Sequence, residues 1–117
     1  MPRDKDKKSA EFSEAVIQQV LSESLDDETA AGRVKQIGLM AILDYMRAND
    51  IDPTVTNIIK ITGLSRQAAF VLMEPLVRRG LLVEETVRNT QGRGRAKRFV
   101  IDRELAETKG KATRPEK

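Results

Sequence analysis

The sequence predicts a mainly α fold with a small β-hairpin, an α+β domain preceded by an extra helix. Three observations predict it. Four stretches between Ser9 and Arg79 carry apolar residues at helical spacing. Two short runs rich in Leu, Val and Phe follow, Leu81 to Val87 and Lys97 to Ile101, and a polar segment containing glycine joins them. The chain has 117 residues, the size of one small domain with one modest core. Its aromatic residues are few (Phe12, Tyr45, Phe70 and Phe99), so that core is expected to be aliphatic.

Residues 1–8 (MPRDKDKK) are charged and lack an apolar period, which predicts a disordered tail, and residues 109–117 read the same way. From Ser9 the pattern changes. Phe12, Val16, Ile17, Val20 and Leu21 recur at helical spacing and Leu25 extends the stripe, so residues 9–26 are expected to form an N-terminal helix. So short an amphipathic helix needs a surface to lie against. Asp26-Asp27-Glu28 then places acids at the start of a longer helix, Glu28 to Ala48, where they complement its dipole. Val34, Ile37, Gly38, Ala41, Leu43, Tyr45 and Met46 supply an apolar face, and Gly38 within it predicts close approach of another backbone. Tyr45 is expected in the core, with Met40, Met46 and Met73 filling gaps there. Pro53 ends this helix by disfavouring helical geometry in the residue before it.

Thr54 caps a short helix, Val55 to Thr62, with Gly63 as its left-handed terminator. Ser65 caps the next helix, which runs to about Arg79 and is closed by Gly80. Ala69, Leu72, Met73 and Leu76 lie on one of its faces. The two strands follow, then a short helix expected at Asp102 to Thr108. Residues 27–108 therefore read as a single domain.

Cysteine and histidine are both absent, which excludes disulfides, thiolate metal sites and the usual general base. Neither a metal nor a cofactor is expected. Nor is an enzyme, because catalysis would rest on carboxylates and no pair of acids stands at a recognisable motif. No charged start leads into a long apolar run, so neither a signal peptide nor a membrane partner is expected. A cytoplasmic, nucleoid-associated location follows. Charge is segregated along the chain: residues 1–52 hold 7 basic and 11 acidic side chains, whereas residues 53–101 hold 9 basic and 3 acidic. A basic module beside an acidic one suggests a polyanion confined to one face, although a solvated basic hairpin has the same composition.

Two short helices joined through Thr62-Gly63-Leu64-Ser65 make a helix-turn-helix, whose second helix would lie in the major groove of double-stranded DNA. Thr54 and Ser65 would cap helices beside phosphates, Arg66 would reach the backbone, and Gln67, Ala68 and Val71 would face the bases. Gln can contact adenine in bidentate fashion, while Ala and Val pack on a thymine methyl. The joining loop and the start of the second strand add Arg88, Arg93, Gly94, Arg95, Lys97 and Arg98, with no acid from Arg88 to Arg98. Arg in a narrow minor groove reads shape. Each piece has a bland reading: Gly-Arg-Gly-Arg is often a surface turn, and Arg78-Arg79 is more often a charge pair favoured by the helix end.

This stretch resembles the winged helix-turn-helix of prokaryotic regulators, particularly MarR-like and related small dimeric repressors. Residues Thr54 to Ser65 look like the family's second helix and turn, Leu76-Val77-Arg78-Arg79-Gly80-Leu81-Leu82 resembles the end of its reading helix, and Gly92-Arg93-Gly94-Arg95 is similar to a wing tip. The resemblance covers residues 35–101. It implies a homodimeric regulator of transcription in which helix 65–79 enters the major groove and wing 88–98 lies on the backbone or minor groove. Phe12, Val16, Ile17, Val20, Leu21 and Leu25 would then be the dimerisation face, setting half-sites about one helical turn apart. MarR-like proteins often bind small molecules, but the dimer region here is short, so an effector is not expected. Three features depart from the pattern. Ile59 and Ala69 read as a compensating volume swap. Phe70 sits on the flank of the reading helix, where it could cover the preceding helix, contact a thymine methyl or join a protein interface, and packing is the expected role. Pro75 lacks the amide that would bond the Val71 carbonyl, which predicts a kink there. Two alternatives stand beside the regulator: a winged-helix protein-interaction module, and a DNA-binding protein of plasmid replication or maintenance.

Overall fold

Four helices and one antiparallel hairpin follow one another among the described residues: α1 (Asp4–Ser22), α2 (Ala30–Ala48), α3 (Val55–Thr62), α4 (Arg66–Arg78), β1 (Leu82–Arg88) and β2 (Arg95–Ile101). The structure is a computed structural model. It describes the backbone of residues 4–88 and 95–102 and the side chains of residues 12–87 and 96–102. The α+β class is as the periodicity predicts. The expected helix after Asp102, the C-terminal tail and residues 1–3 lie outside the described residues. Residues 4–8, expected to be a disordered tail, are the first turns of α1.

Local chemistry sets the helix ends. Thr29, Thr54 and Ser65 are extended residues whose hydroxyls accept the N–H of Gly32, Asn57 and Ala68. Each satisfies one donor that the first helical turn leaves open. The acids Asp26 to Glu28 precede the Thr29 cap, so the first turn of α2 carries no acid and Glu28 has a different task, described below. Gly63 at φ +80° and Gly80 at φ +81° adopt the left-handed conformation that lets the chain leave α3 and α4 abruptly. Helix α4 continues through the buried Pro75 to Arg78, so the proline does not end it.

One aliphatic core collects these elements. Phe12, Val16 and Val20 of α1 are buried in it with Leu39, Met40, Leu43 and Met46 of α2. Val55 and Ile58 of α3, Ala69, Met73 and Leu76 of α4, Leu81 after it, and Leu82, Phe99 and Ile101 of the hairpin complete it. Two expectations are corrected here. Phe12, Val16 and Val20 belong to the chain's own core rather than to a surface for a second copy, leaving Ile17 at 40% and Leu21 at 49% exposure. Helix α2 also turns a different face inward. Leu43 and Met46 are buried, but Val34, Gly38, Ala41 and Tyr45 face outward. Beyond its own turn of helix, no described residue comes within 4 Å of where a Cβ on Gly38 would sit, so no described backbone approaches it.

A polar network ties the helices where the core ends. The Arg79 guanidinium has 1% of its side-chain surface exposed and pairs with Glu28, at 7%. Its Nε donates to Gln36 Oε1 at 3.1 Å and its Nη1 to the Glu23 carbonyl at 2.7 Å. Glu28 also accepts from Leu25 N–H at 2.9 Å and from the Gln36 amide. Gln19 of α1 donates to the Arg79 carbonyl at 3.1 Å. Burial alone would push the Glu28 carboxyl up, but hydrogen bonds from Gln36, Leu25 and Arg79, with the Arg79 charge, outweigh it and hold the group below its ordinary value. Arg79 is therefore not half of a helix-end charge pair; it is the post on which α1, the α1–α2 loop, α2 and α4 meet.

Candidate nucleic-acid interface

The turn between α3 and α4 is built from the backbone outward. Gly63 N–H donates to the Ile59 carbonyl at 2.9 Å, and the Thr62 hydroxyl donates to the Ile58 carbonyl at 2.7 Å. The same hydroxyl accepts from Leu64 N–H at 3.1 Å, holding Leu64 against the core while Ser65 stays outside. Helix α4 therefore starts at a fixed point. Its first turn presents Arg66 and Gln67 to solvent, and Val71 one turn on is 63% exposed. Ala68 is only half exposed. Arg66 has no hydrogen bond or ion pair with any described residue. The Ser65 hydroxyl is occupied as the helix cap, accepting from Ala68 N–H at 3.0 Å, and the half-buried Thr54 caps α3 in the same way at 3.2 Å.

The hairpin is docked beside this helix. Strands β1 and β2 pair in the register Leu82↔Ile101 to Arg88↔Arg95. Residue Thr54 forms an antiparallel bridge with Arg98, and Phe99 N–H donates to the Pro53 carbonyl at 3.0 Å, so β2 is fastened to the chain just before α3. Phe70 meets Phe99 edge to face, with centroids 6.0 Å apart and rings at 75°. It thus packs on the hairpin as well as against the common core. Lys97 Nζ stands 6.0 Å over the Phe70 ring and 2.9 Å from Glu84.

Of the cations expected to contact DNA, the structure separates two kinds. Arg98 is engaged inside the molecule, with Nε on Glu85 and Nη1 on Asp52, each at 3.0 Å. Those hydrogen bonds, Glu85 first, raise its affinity for the proton. Lys97 is likewise paired, with Glu84. Arg66 is the cation of the first turn of α4 that has no such partner among the described residues. Arg88 and Arg95 close the hairpin ladder as backbone partners, and their side chains lie outside the described residues, as do Arg93 and Gly94 altogether. Farther along α4, Arg78 pairs with Glu74 at 2.9 Å. Glu85 stands opposite Arg98 in the hairpin register, but no sequence signal reveals the second contact, because Asp52 lies 46 positions away.

Two grooves flank α4. One, of about 670 Å³, runs between α2 and α4 beside Gly38, Ile42, Leu64 and Leu72; the other lies between α4 and the hairpin beside Phe70, Val77 and Phe99. Gln67 and Val71 are common to both, so they form the ridge between them. Among the described residues no helix is long and apolar enough to cross a membrane. Comparison with protein-family models, with curated proteins and with solved structures finds no match to this chain. The class that the fold defines is therefore a mainly helical α+β domain with an exposed, firmly capped helix start beside a two-stranded sheet.

Proposed function

We propose that this chain is a winged helix-turn-helix regulator of transcription that binds double-stranded DNA as a homodimer, with α4 in the major groove and the segment 88–98 on the backbone or minor groove. The observation that carries the reading is the start of α4, where Arg66, unpaired among the described residues, stands beside the exposed Gln67 and Val71 on a helix pinned by the Gly63 turn and the Ser65 cap. A cation without an internal partner is free to release counterions from a phosphate, and Gln with Val is a pair suited to an adenine edge and a thymine methyl. The segregated basic charge of residues 53–101 supports it further.

The test is fluorescence anisotropy with a labelled random-sequence duplex across a salt series. Arg66→Ala is expected to weaken binding to every duplex and to lower the slope of log K against log salt by about one. Arg93→Ala with Arg95→Ala should weaken binding and flatten the slope further, and Gln67→Ala should change which sequence is preferred. Arg98→Ala should leave the slope unchanged, because Asp52 and Glu85 already hold that side chain. Absence of binding by the unmodified protein at low salt would sink the reading. A protein-interaction module is the second reading, favoured by the 63% exposure of Val71 between two grooves and by the acids Glu74 and Glu84 on the hairpin side of α4.

A further inference from the structure

The outer face of α2 is unlike the rest of the surface. Ala31, Val34, Gly38, Ala41, Tyr45 and Ala48 are all exposed, Val34 at 62% and Tyr45 at 56%. They recur at intervals of three and four, so they form one straight stripe along the whole helix. None carries a charge, in a chain of which 33% of residues are charged. A helix that only met water on this side would be expected to carry polar residues there.

The order of sizes identifies the occupant. Read from either end, the stripe runs small, large, small, small, large, small, and its spacing of three, four, three, four, three is also the same in both directions. A two-fold axis between Gly38 and Ala41 would set an identical helix antiparallel on this one. Val34 would then meet the second copy's Tyr45, Ala31 its Ala48, and Gly38 its Ala41. Large side chains would fill the space at both ends, and the smallest residues would stand where the helix axes come closest. An isologous interface needs this self-complementarity, and a surface for a different protein does not.

We propose that the chain self-associates through this face, as an antiparallel α2–α2 dimer. The proposal deepens the homodimer of the preceding section and rests on that part of it, but not on DNA. The stripe is about 26 Å long and roughly 10 Å wide, smaller in projection than the ~800 Å² each partner gives to a standard interface. Association is therefore expected in the micromolar range or weaker, and its extent should depend on concentration.

Sedimentation velocity without DNA tests this. The protein, 13.1 kDa as a monomer, should shift toward twice that mass as concentration rises from micromolar to sub-millimolar. Val34→Glu with Ala41→Glu should hold it monomeric with its helical circular dichroism intact, since both positions are exposed. Ile17→Glu with Leu21→Glu, on the exposed side of α1, should leave the dimer in place. Orientation is read by cross-linking, because the chain has no native cysteine. A mixture of V34C and Y45C proteins should form the mixed disulfide. V34C alone should not, since its two copies would stand about 16 Å apart along the axis, beyond disulfide reach. A monomer at every concentration, or loss of the dimer only in the α1 variant, would overturn the proposal, as would efficient cross-linking of V34C to itself. A dimer that ignores DNA would instead count against the regulator and leave this interface standing.

Discussion

Replacing Arg79 by Met is expected to destabilise the protein by about 2–3 kcal/mol, although Arg79 sits in a run of surface-like residues at the end of α4. The guanidinium makes three directed contacts: Glu28, Gln36 and the Glu23 carbonyl. Removing one member of a buried ion pair costs about 3–5 kcal/mol when the other is left uncompensated. Here Glu28 would keep Leu25 N–H and the Gln36 amide, so its carboxylate would not be orphaned, which moves the expectation to or below the low end of that range. Met retains the apolar stem, so little of the cost arises from lost packing. Urea unfolding followed by far-ultraviolet circular dichroism measures the difference directly. Adding Glu28→Gln to Arg79→Met should recover part of the loss, because the second change removes the charge that the first left behind. If Arg79→Met lay within about 0.5 kcal/mol of the unmodified protein, the scale of an ordinary surface substitution, the view of Arg79 as the post joining α1, α2 and α4 would be wrong.

Two further outcomes follow from the same geometry. Because the folded state holds the Glu28 carboxyl below its ordinary value, the stability it adds is complete above the unfolded carboxylate range and is lost as pH falls through the lower folded value. Between about pH 5 and pH 3 the unmodified protein should therefore lose more stability than Glu28→Gln, and equal losses by thermal melts across that window would contradict the assignment. Ser65→Ala should cost about 1 kcal/mol by removing the cap on Ala68 N–H, while Ser65→Asp, which can cap the same amide, should stay near the unmodified value.

Much of the framework is legible in the sequence because it is local. The Thr54 and Ser65 caps, the left-handed Gly63, the span Val55–Thr62 and the two strands each follow from residues a few positions apart, and the structure places them there. Buried Met73 is legible too, through its spacing with Ala69, Leu72 and Leu76 on one face of α4. Helix α2 is not. It carries apolar residues around most of its circumference, so a period of 3.6 admits two rotations, and packing against α1 and α4 chose the one that puts Leu39, Met40, Leu43 and Met46 inside. Tyr45, expected in the core, stands outside for that reason.

The candidate interface divides along the same line. Arg66 and Gln67 can be placed from the Ser65 cap alone, since the first turn after a cap projects from the helix start. Arg98 and Arg79 cannot. Their partners Asp52 and Glu28 lie 46 and 51 positions away in sequence, so only the folded chain brings each pair together. By itself the sequence determined the elements, their caps and turns, and the concentration of positive charge in residues 53–101, because these depend on neighbouring residues and on composition. Tertiary structure decided which rotation of α2 is buried and which cations are spent within the molecule. Burial and ion pairing are properties of surfaces that meet, and no chain segment specifies its partner surface by its own pattern.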